Sequence, residues 1–558
     1  AGGFYFFQYA TLLYERRANN IPIDYVLGAV IFFAVIIGAW RVSGMAVPIV
    51  AICFILYALT GKYLPGILHH QGLNFLRILR IAIVEIDGIY GFLPSSGINL
   101  VIIFIFFASV VQGFGGLDYI MEVTRSMTKR FSNGVPQVAV ISSLIFGLFS
   151  GSGTANAAGV GAYTIPLMKK VGVPPAIAGG IEAVASTGGQ AMPPVMGVAA
   201  FLMADLLGVP YVRIMLVGFI PAFIYYGCVA WGVYLKTKPF APPPGSVSIE
   251  GEAKKLSLAE GIPLVVAIGF LLYLVIGPRL SLLLVGTYTI FAFLAMRLIY
   301  DLIFTGRSLK MLMQFGLRIV KGLADGAMSA MTIMVMLGCM AIIVRILVAT
   351  GITQEITFGM VDFSGGNLFI LVLLIGLVAL LFGMATSTVV VYLLVVLLGA
   401  PTLVKLGIPP IAAHFAVFYL SLISGITPPV AIVVAVTAMI AGASYVKTCL
   451  EAMKLGMPLY ILPFVFIYSP GIVGDNAGIA LLIGLQTVIG IIAVMYGTSG
   501  NFKGIPGNVL RVLALATGGL GLFYPVQTVR IGCQVIIVAY VVVMYLASRR
   551  KKARLVIA

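Results

Sequence analysis

Two stretches of equal length decide the fold: GVPPAIAGGIEAVASTGGQAMPPV at residues 172–195 and GIPPIAAHFAVFYLSLISGITPPV at residues 407–430. Each begins and ends with a Pro-Pro pair, and the spacing between the pairs is the same in both stretches. Proline removes an amide donor and glycine lets the backbone turn, so each stretch predicts a helix that breaks at its second diproline. The same pattern at two places in one chain indicates an internal repeat.

The surrounding sequence is that of a membrane protein. The 558 residues have a mean hydropathy of +1.14, with 61% hydrophobic and 9% charged residues. Because a spanning helix needs about 20 predominantly apolar residues, the sequence predicts an all-α polytopic membrane protein. The continuous apolar runs argue against a β-barrel, which has short alternating segments. The predicted spans are residues 22–40, 97–114, 211–235, 261–276, 327–349, 477–497 and 529–547.

The formal net charge of +17 comes from small basic groups between apolar runs. This distribution follows the positive-inside rule and argues against nucleic-acid binding. It places the linker 237–260 and the basic segment 548–554 in the cytoplasm. The five cysteines lie singly in apolar runs, and neither they nor the three histidines have metal-ligand spacing.

Two short apolar segments, 136–150 and 154–168, cannot cross a hydrocarbon core of about 30 Å at a rise of 1.5 Å per residue. They predict a re-entrant helical hairpin with the tip SGSGTAN at residues 150–156, which enters from the cytoplasm because its base is basic. A second hairpin is predicted at about 366–404, with the tip GMATST at residues 383–388, entering from the opposite side. A hairpin followed by a broken helix therefore occurs twice in inverted orientation, which indicates a transport site near the membrane midplane.

The two breaks and the two tips are rich in oxygen atoms. Irregular backbone at membrane depth is tolerated where it is buried in protein or lines a watery cavity. Hydroxyl and freed carbonyl oxygens suit Na⁺, and helix N-termini can face an anion. We predict Na⁺ ligands at Ser150, Ser152, Ser186, Thr187, Gly189, Thr386, Ser424, Gly425 and Thr427. We predict substrate contacts at Asn156, Glu182, Gln190 and Thr388.

Each of these features also has an interpretation in which it has no transport role. A single proline break can be a kink stabilised by local hydroxyls. Glu182 can be bonded to neighbouring backbone with no transport role, Asn156 can cap the tip, and Gln190 can bond backbone. Arg345 can clamp a carboxylate or extend toward the membrane surface from a helix end.

The motifs SGSGTANAAGVGAYTIPLMKKVGVPPAIAGGIEAVASTGGQAMPPVMG and HFAVFYLSLISGITPPVA resemble the fused membrane permeases of tripartite ATP-independent periplasmic (TRAP) transporters, in the branch served by TAXI-type binding proteins. The resemblance runs from about residue 22 to 470. It implies an elevator-type, usually Na⁺-coupled secondary transporter that takes an organic acid from a periplasmic binding protein. At the second tip, Ala385 and Ser387 replace a glycine and a proline that the family usually has.

With this resemblance we expect six parts. The small-subunit-like part is shorter than is usual in the family, which indicates a trimmed start or missing helices. Amphipathic segments 71–87 and 306–325 predict arm helices at the membrane interface. The parts are 1–96, small-subunit-like scaffold and arm; 97–236, first transport repeat with hairpin 1; 237–260, cytoplasmic linker; 261–326, scaffold and second arm; 327–470, second inverted repeat with hairpin 2; and 471–558, additional C-terminal transmembrane helices.

The expected function is therefore import of an organic acid with Na⁺ across a bacterial or archaeal cytoplasmic membrane, together with a TAXI-type binding protein. The alternative is a self-sufficient carboxylate carrier coupled to Na⁺ or H⁺. A channel would need rings of repeated filter residues. An enzyme is not expected, since no HExxH, GxSxG or Walker A motif occurs in the sequence.

Overall fold

The computed structural model describes most of the chain, and every regular element in the described part is a helix. The all-α prediction is therefore confirmed. The predicted linker 237–260 lies outside the described residues from 241 to 257, as does the basic segment 548–554. The described residues are 2–9, 11–12, 20–43, 45–85, 88–128, 134–240, 258–278, 280–304, 306, 308–383, 386–429, 431–500, 504–523 and 529–539.

Six of the described helices are long and apolar enough to cross a membrane, or up to eight spans if each of two bent helix pairs counts as one. The bent pairs are Leu93–Asn99 with Ile102–Gly113, at 41°, and Ile432–Ala441 with Tyr445–Leu455, at 117°. The fold is therefore that of a multi-pass helical membrane protein. The six helices are Pro22–Val42, Tyr211–Phe240, Leu282–Phe304, Leu309–Thr350, Thr388–Lys405 and Ala477–Ser499.

The N-terminal part packs as helices around a small apolar core. This core includes Phe32, Ile78 and Ile83, and it also takes Ile342 and Ile346 from a helix much later in the chain. The predicted arm at 71–87 is a short helix, Phe75–Leu79, that continues as a π-turn to Val84, while residues 86 and 87 lie outside the described residues. The helices here are α1 Gly2–Gln8, α2 Pro22–Ser43, α3 Ala46–Thr60, α4 Phe75–Leu79 and α5 Phe92–Ser96.

The first repeat contains hairpin 1 (α8, α9 and α10) and broken helix 1 (α11 and α12). The hairpin segments predicted as too short to span are short helices here as well. The helices of this part are α6 Ile102–Gly113, α7 Gly116–Thr128, α8 Gly134–Ser150, α9 Gly153–Gly159, α10 Gly161–Lys170, α11 Pro175–Gly188, α12 Gly197–Leu207 and α13 Tyr211–Thr237.

Three helices connect the repeats: α14 Ile262–Ile276, α15 Leu282–Phe304 and α16 Leu309–Thr350. The predicted arm at 306–325 and the predicted span at 327–349 are parts of the single helix α16, so the predicted boundary at 326/327 falls inside one helix. No proline interrupts α16. Its glycines serve close packing on α6, because a Cβ at Gly322 would lie 2.9 Å from Val110 Cα and one at Gly326 would lie 2.6 Å from the Phe106 ring.

The second repeat has the same order of elements, with hairpin 2 (α18 and α19) and broken helix 2 (α20 and α21). The three helices after α23 are the C-terminal part, and α24 packs on α13 and α25. The bounds are α17 Ile352–Ser364, α18 Leu368–Phe382, α19 Thr388–Lys405, α20 Pro410–Ile423, α21 Ile432–Ala441, α22 Tyr445–Leu455, α23 Met457–Tyr468, α24 Ala477–Ser499, α25 Gly504–Phe523 and α26 Val529–Ala539.

The two broken helices lie side by side with their halves exchanged. The first half of broken helix 1, α11, packs on the second half of broken helix 2, α21, and α20 contacts α12 in the same way. At Gly179 of α11 an added Cβ would lie 3.3 Å from the carbonyl oxygen of Thr437 on α21. Contacts between unlike halves require the two broken helices to run antiparallel, as an inverted repeat does.

Candidate functional site

Both broken helices are interrupted in the same manner. Helix α11 ends at Gly188 and continues as the 3₁₀ turn Gly189–Ala191, and α20 ends at Ile423; no α-helix forms from these ends through the second diproline of either stretch. The residue two positions after the last proline has a positive φ in both breaks, +54° at Met196 and +29° at Ala431. The next helices, α12 and α21, begin at the following residue. The predicted breaks are therefore present at matching positions.

A tyrosine holds each break. Tyr211, the first residue of α13, donates to the carbonyl oxygens of Pro194 at 2.7 Å and Val195 at 2.9 Å. Tyr445, the first residue of α22, donates to the carbonyl oxygen of Pro429 at 3.1 Å. These hydroxyls satisfy carbonyls that the helix breaks leave without amide donors.

Hairpin 1 approaches broken helix 1 through two pairs of glycines. A Cβ added at Gly147 would lie 2.5 Å from Gly189 Cα, and one at Gly151 would lie 2.6 Å from Gly197 Cα. Gly151 and Gly197 also have positive φ angles of +58° and +67°. Only glycine allows the tip of hairpin 1 to lie directly against the backbone of the break.

The two tips and the two breaks enclose one cavity of about 680 Å³, which is a usual size for a small-molecule site. Its opposite wall consists mainly of residues of α6 and α16, together with Val42 of α2 and Val101 just before α6. Seven of the predicted site residues line this cavity. They are Ser150, Ser152, Gln190, Thr386, Thr388, Ser424 and Gly425.

Six predicted site residues do not line this cavity. Their side chains or backbone pack between the hairpins and the breaks, where they meet other protein groups. The sequence predicts how deep a residue lies in the membrane, but not in which direction its side chain points from the helix. The six are Asn156, Glu182, Ser186, Thr187, Gly189 and Thr427.

Glu182 is fully buried at the centre of hairpin 1 and broken helix 1. Ser143 of α8 and Ser186 of α11 each donate a 2.8 Å hydrogen bond to its Oε1. Thr164 of α10 donates to its Oε2. Three hydroxyls from three helices therefore converge on one carboxyl group, whereas the matching position of the second repeat is Val417. Among the described contacts, the Glu182 carboxyl group accepts hydrogen bonds from side-chain hydroxyls, and its contact with substrate stays a prediction.

Several of the predicted oxygen ligands already donate to carbonyl groups. Thr187 donates to the carbonyl of Ala183 at 2.7 Å, Ser424 donates to the carbonyl of Ser421 at 2.8 Å, and Thr427 donates to the carbonyl of Ile423 at 2.8 Å. A hydroxyl that donates in this way keeps its lone pairs for a cation, but Thr427 also accepts a 2.6 Å hydrogen bond from the Tyr460 hydroxyl, which uses one of them.

Three oxygens of hairpin 1 are buried without any hydrogen-bond partner in the described structure: Oδ1 of Asn156 and the Oγ atoms of Ser142 and Ser150, of which Asn156 and Ser150 belong to the predicted tip. The amide nitrogen of Asn156 donates to the carbonyl of Ser143 at 2.9 Å, which fixes the direction of Oδ1. Buried polar atoms ordinarily have a partner. Hard, unpartnered oxygens are suited to Na⁺ or water, so the residues present fit the predicted coupling ion. Among the described residues no group of three or more His, Cys, Asp and Glu side chains could hold a metal.

Sequence reasoning missed part of the cavity wall. Gln112 on α6 and Asp325, Ser329 and Thr332 on α16 also line the cavity, as does Thr154 at the first tip. A polar group every three or four residues on one face of α16 was the available signal. The predicted boundary at 326/327 divides this face, because Asp325 ends the predicted arm whereas Ser329 and Thr332 fall in the predicted span 327–349.

Arg345 does not reach the cavity. Its guanidinium lies 2.9 Å from Oε2 of Glu85 and donates to the carbonyl of Ile81 at 3.3 Å. Arg80 lies 3.6 Å from the same carboxylate. Arg345 therefore ties α16 to the N-terminal part of the chain, and neither predicted role, substrate clamp or free surface group, is its observed contact.

These features define a multi-pass helical membrane protein whose central cavity lies between paired helical hairpins and broken helices. The chain belongs to the family of the DctM component of tripartite ATP-independent periplasmic transporters, whose model matches residues 30–474. The predicted family is confirmed, and helices α24 to α26 lie beyond the matched region.

Curated relatives match over shorter stretches. The sialic acid TRAP transporter permease protein SiaT of Haemophilus influenzae is 27% identical over 126 residues, 22% of this chain and 20% of that protein. A putative TRAP transporter large permease protein of the same species is 29% identical over 128 residues, 23% of this chain and 30% of that protein. The uncharacterized protein y4mL of Sinorhizobium fredii is 28% identical over 132 residues, 23% of this chain and 31% of that protein.

Among solved structures, the YdaH transporter of Alcanivorax borkumensis matches with a TM-score of 0.45 and 16% identity. That match covers 71% of this chain and 86% of the YdaH chain.

Proposed function

We propose that this chain is the membrane permease of a TRAP system, a secondary active transporter that imports an organic acid together with Na⁺. The observation that carries the proposal is the single cavity enclosed by both hairpin tips and both helix breaks. A site made from matching parts of two inverted repeats is the arrangement that alternating access requires. It belongs in the cytoplasmic membrane of a bacterium or archaeon, and the chain acts as a transporter and not as an enzyme.

The electrostatics of the cavity support an anionic substrate. The N-terminal residues of α12, α19 and α21 line the cavity at Gly197, Thr388 and Ile432. Each N-terminus presents unpaired amide groups and the positive end of a helix dipole. Three such helix ends around one cavity favour binding of a carboxylate even though no basic side chain is among the described residues that line it.

Coupling to Na⁺ is supported by the unpartnered oxygens of Ser150 and Asn156 in hairpin 1. Thr386, Thr388 and Ser424 offer hydroxyl oxygens at the second tip and break. Bound Na⁺ would hold a tip against its break and so complete the substrate site, which makes substrate binding and ion binding depend on each other.

The division of the cavity wall supports an elevator movement. One side consists of the hairpins and breaks, and the other mainly of α6 and α16; we assign both of these helices to the scaffold, although α6 and the second half of α16 lie within the repeats as bounded from the sequence. The contact between Ser96 of α5 and Asp205 of α12 crosses this division, since Ser96 donates to the Asp205 carboxylate. The proposed movement carries the hairpins and breaks past the scaffold and must exchange such contacts.

The proposed partner is a TAXI-type periplasmic binding protein, on the basis of family membership and the motifs at 150–197 and 414–431. The chain should receive its substrate from that protein because docking to one conformation can open both partners together. The alternative, a self-sufficient Na⁺- or H⁺-coupled carrier, is an outcome of the test.

Uptake into proteoliposomes tests the proposal. The chain is reconstituted, and uptake is measured from binding protein loaded with its own co-purified substrate, with Na⁺, K⁺ or choline outside at fixed pH. We expect uptake that requires both Na⁺ and the binding protein. Equal uptake with K⁺ or choline would refute Na⁺ coupling, and saturable Na⁺-driven uptake of free substrate would establish the self-sufficient carrier.

A further inference from the structure

The cavity wall opposite the hairpin tips changes in character from one end to the other. Along α16, Leu337 and Met336 line one end, and Asp325 lies 12 positions from Leu337 in the sequence. At 1.5 Å per residue this separation is about 18 Å. Along α6 the lining runs from Val101 through Phe104 to Gln112, and Phe106 lies level with Gly326 of α16, so Phe104 lies between the two ends. The cavity therefore has an apolar end at Met336 and Leu337 and a polar end at Asp325 and Gln112.

Aromatic side chains extend the apolar end onto the transport side of the cavity. Phe201 of α12 stacks on Phe104 of α6 with ring centroids 5.0 Å apart, and Phe149 at the end of α8 lines the same cavity. Phe104, Phe149 and Phe201 are each at most 3% exposed. A ligand body on this surface gives up water against apolar side chains, and the polar side chains beside it are those of Ser150 and Thr332.

The charges of the cavity are also one-sided. Among the described residues that line it, Asp325 is the single charged side chain, and none is a lysine or an arginine. One carboxylate of a ligand has the N-termini of α12, α19 and α21 as partners. A second carboxylate would face either the apolar end or the Asp325 carboxylate, and both positions oppose a negative charge.

We propose that the substrate class is an amphipathic monocarboxylate, with an aromatic or branched aliphatic body. This inference rests on the proposed transport function. The carboxylate lies among the N-termini of the tips and breaks, and the body lies at the apolar end against Phe104, Phe201 and Leu337. Dicarboxylates and polyhydroxylated acids are disfavoured, because the apolar end would leave their additional polar groups without partners.

Binding to the purified chain in detergent with Na⁺ present tests this class without any need for uptake. The probes are 3-phenylpropanoate, 4-methylpentanoate, succinate, gluconate and the neutral 3-phenylpropanamide, with binding measured by calorimetry or thermal shift. We expect both monocarboxylates to bind about tenfold or more tightly than succinate and gluconate, and the amide to bind more weakly than its acid.

Two variants locate the recognition within the cavity. Ile333→Ser, at the apolar end, should weaken 3-phenylpropanoate binding about fivefold or more, while Val335→Ser on the same helix, outside the cavity lining, should not. Asp325→Asn should tighten succinate binding severalfold and so reduce the ratio of monocarboxylate affinity to succinate affinity. Asp362→Asn, at an exposed position of α17, should leave that ratio unchanged.

Each contrary result overturns the proposed class. Tighter binding of succinate or gluconate would show that the apolar end does not select the substrate. Equal binding of the amide would remove the carboxylate from recognition. Failure of every probe to bind would also refute the class, while uptake of the binding protein's own substrate would still decide the transport function separately.

Discussion

Ser143 donates a 2.8 Å hydrogen bond to Oε1 of Glu182, which joins the first arm of hairpin 1 to the first half of broken helix 1. Thr164 on the other arm donates to Oε2 of the same carboxyl group, and both hydroxyls are fully buried. The two arms of the hairpin are therefore fixed to the break through one side chain. This places Glu182 as a positioning residue behind the cavity.

Glu182→Ala should destabilise the protein strongly, because the buried hydroxyls of Ser143 and Ser186 lose their acceptor at about 1 kcal/mol or more each, while Thr164 keeps only the carbonyl of Val160. Glu182→Gln keeps one acceptor oxygen and a similar volume, so its cost should be about 1 kcal/mol. Thermal unfolding in detergent measures both, with Glu355→Ala on an exposed turn of α17 as the control. Equal melting of Glu182→Ala and Glu355→Ala would contradict this role.

The helix breaks and hairpins could be predicted from the sequence because proline, glycine and segment length act locally. The diproline pairs at 174–175 and 193–194 recur at the same spacing in the second repeat, and the first pair of each stretch begins a 14-residue helix, α11 or α20, that ends five residues before the second pair. The members of the cavity wall could not be predicted in the same way. Asp325 and Thr332 lie in the uninterrupted helix α16, and only packing against α6 and the tips decides which of its faces meets the cavity.

The direction in which polar side chains point is the second feature of the site that the sequence does not predict. Glu182 and Ser186 are four residues apart, so they share one helix face, and that face turns toward hairpin 1 instead of the cavity. Gln190 lies beyond the end of α11, in the 3₁₀ turn Gly189–Ala191, and it does line the cavity. The sequence predicts that Glu182, Ser186 and Gln190 all lie deep in the membrane. It does not predict that the first two face hairpin 1 while Gln190 lines the cavity.

Gly151→Ala should impair the protein for two reasons that a control can separate. Its φ of +58° disfavours a side chain, and its Cβ would lie 2.6 Å from Gly197 Cα. Gly208 has a similar φ of +63° but nothing within 4 Å of an added Cβ. Gly208→Ala should therefore cost about 1 kcal/mol from the backbone alone, and Gly151→Ala clearly more.

Uptake and thermal stability of these two variants provide the comparison. If the close approach of tip and break matters for transport, Gly151→Ala loses uptake and Gly208→Ala retains most of it. Equal uptake and equal thermal stability of the two variants would mean that the tip can move away from Gly197 without loss of transport.

The tyrosines that hold the two breaks should differ in their importance. Tyr211 is 6% exposed and donates to two carbonyls, whereas Tyr445 makes one longer bond in an exposed position. Tyr211→Phe should lower the free energy of unfolding by about 1–2 kcal/mol and Tyr445→Phe by under about 1 kcal/mol. Tyr273→Phe, at an exposed position of α14, is the control for loss of a hydroxyl. A larger loss for Tyr445→Phe would reverse the assigned order.

The contact between Arg345 and Glu85 should couple the N-terminal part to α16. The two side chains are 25% and 18% exposed, whereas those of the surface pair Arg213 and Asp475 are 43% and 66% exposed. A double-mutant cycle with alanine at 345 and 85 should give a coupling energy of about 2 kcal/mol. The same cycle at 213 and 475 should give under about 1 kcal/mol and fall further with added salt. A coupling energy at 345 and 85 no greater than that of the surface pair would contradict the prediction.

Asn156 should contribute to Na⁺ affinity through its buried, unpartnered Oδ1. Asn156→Ala removes that oxygen, so the stabilisation that Na⁺ gives over K⁺ in thermal unfolding should largely disappear. A tenfold loss of Na⁺ affinity lowers this stabilisation by about 1.4 kcal/mol at saturating Na⁺. The half-maximal Na⁺ concentration for uptake should rise by a similar factor.

Asn99→Ala is the control, because Asn99 is exposed and its amide donates to Ser95 outside the cavity. Asn156→Ala also removes the bond to the Ser143 carbonyl, which lowers stability equally in Na⁺ and K⁺. The difference between the two salts is therefore the deciding quantity, and an unchanged difference would exclude Asn156 from the Na⁺ site.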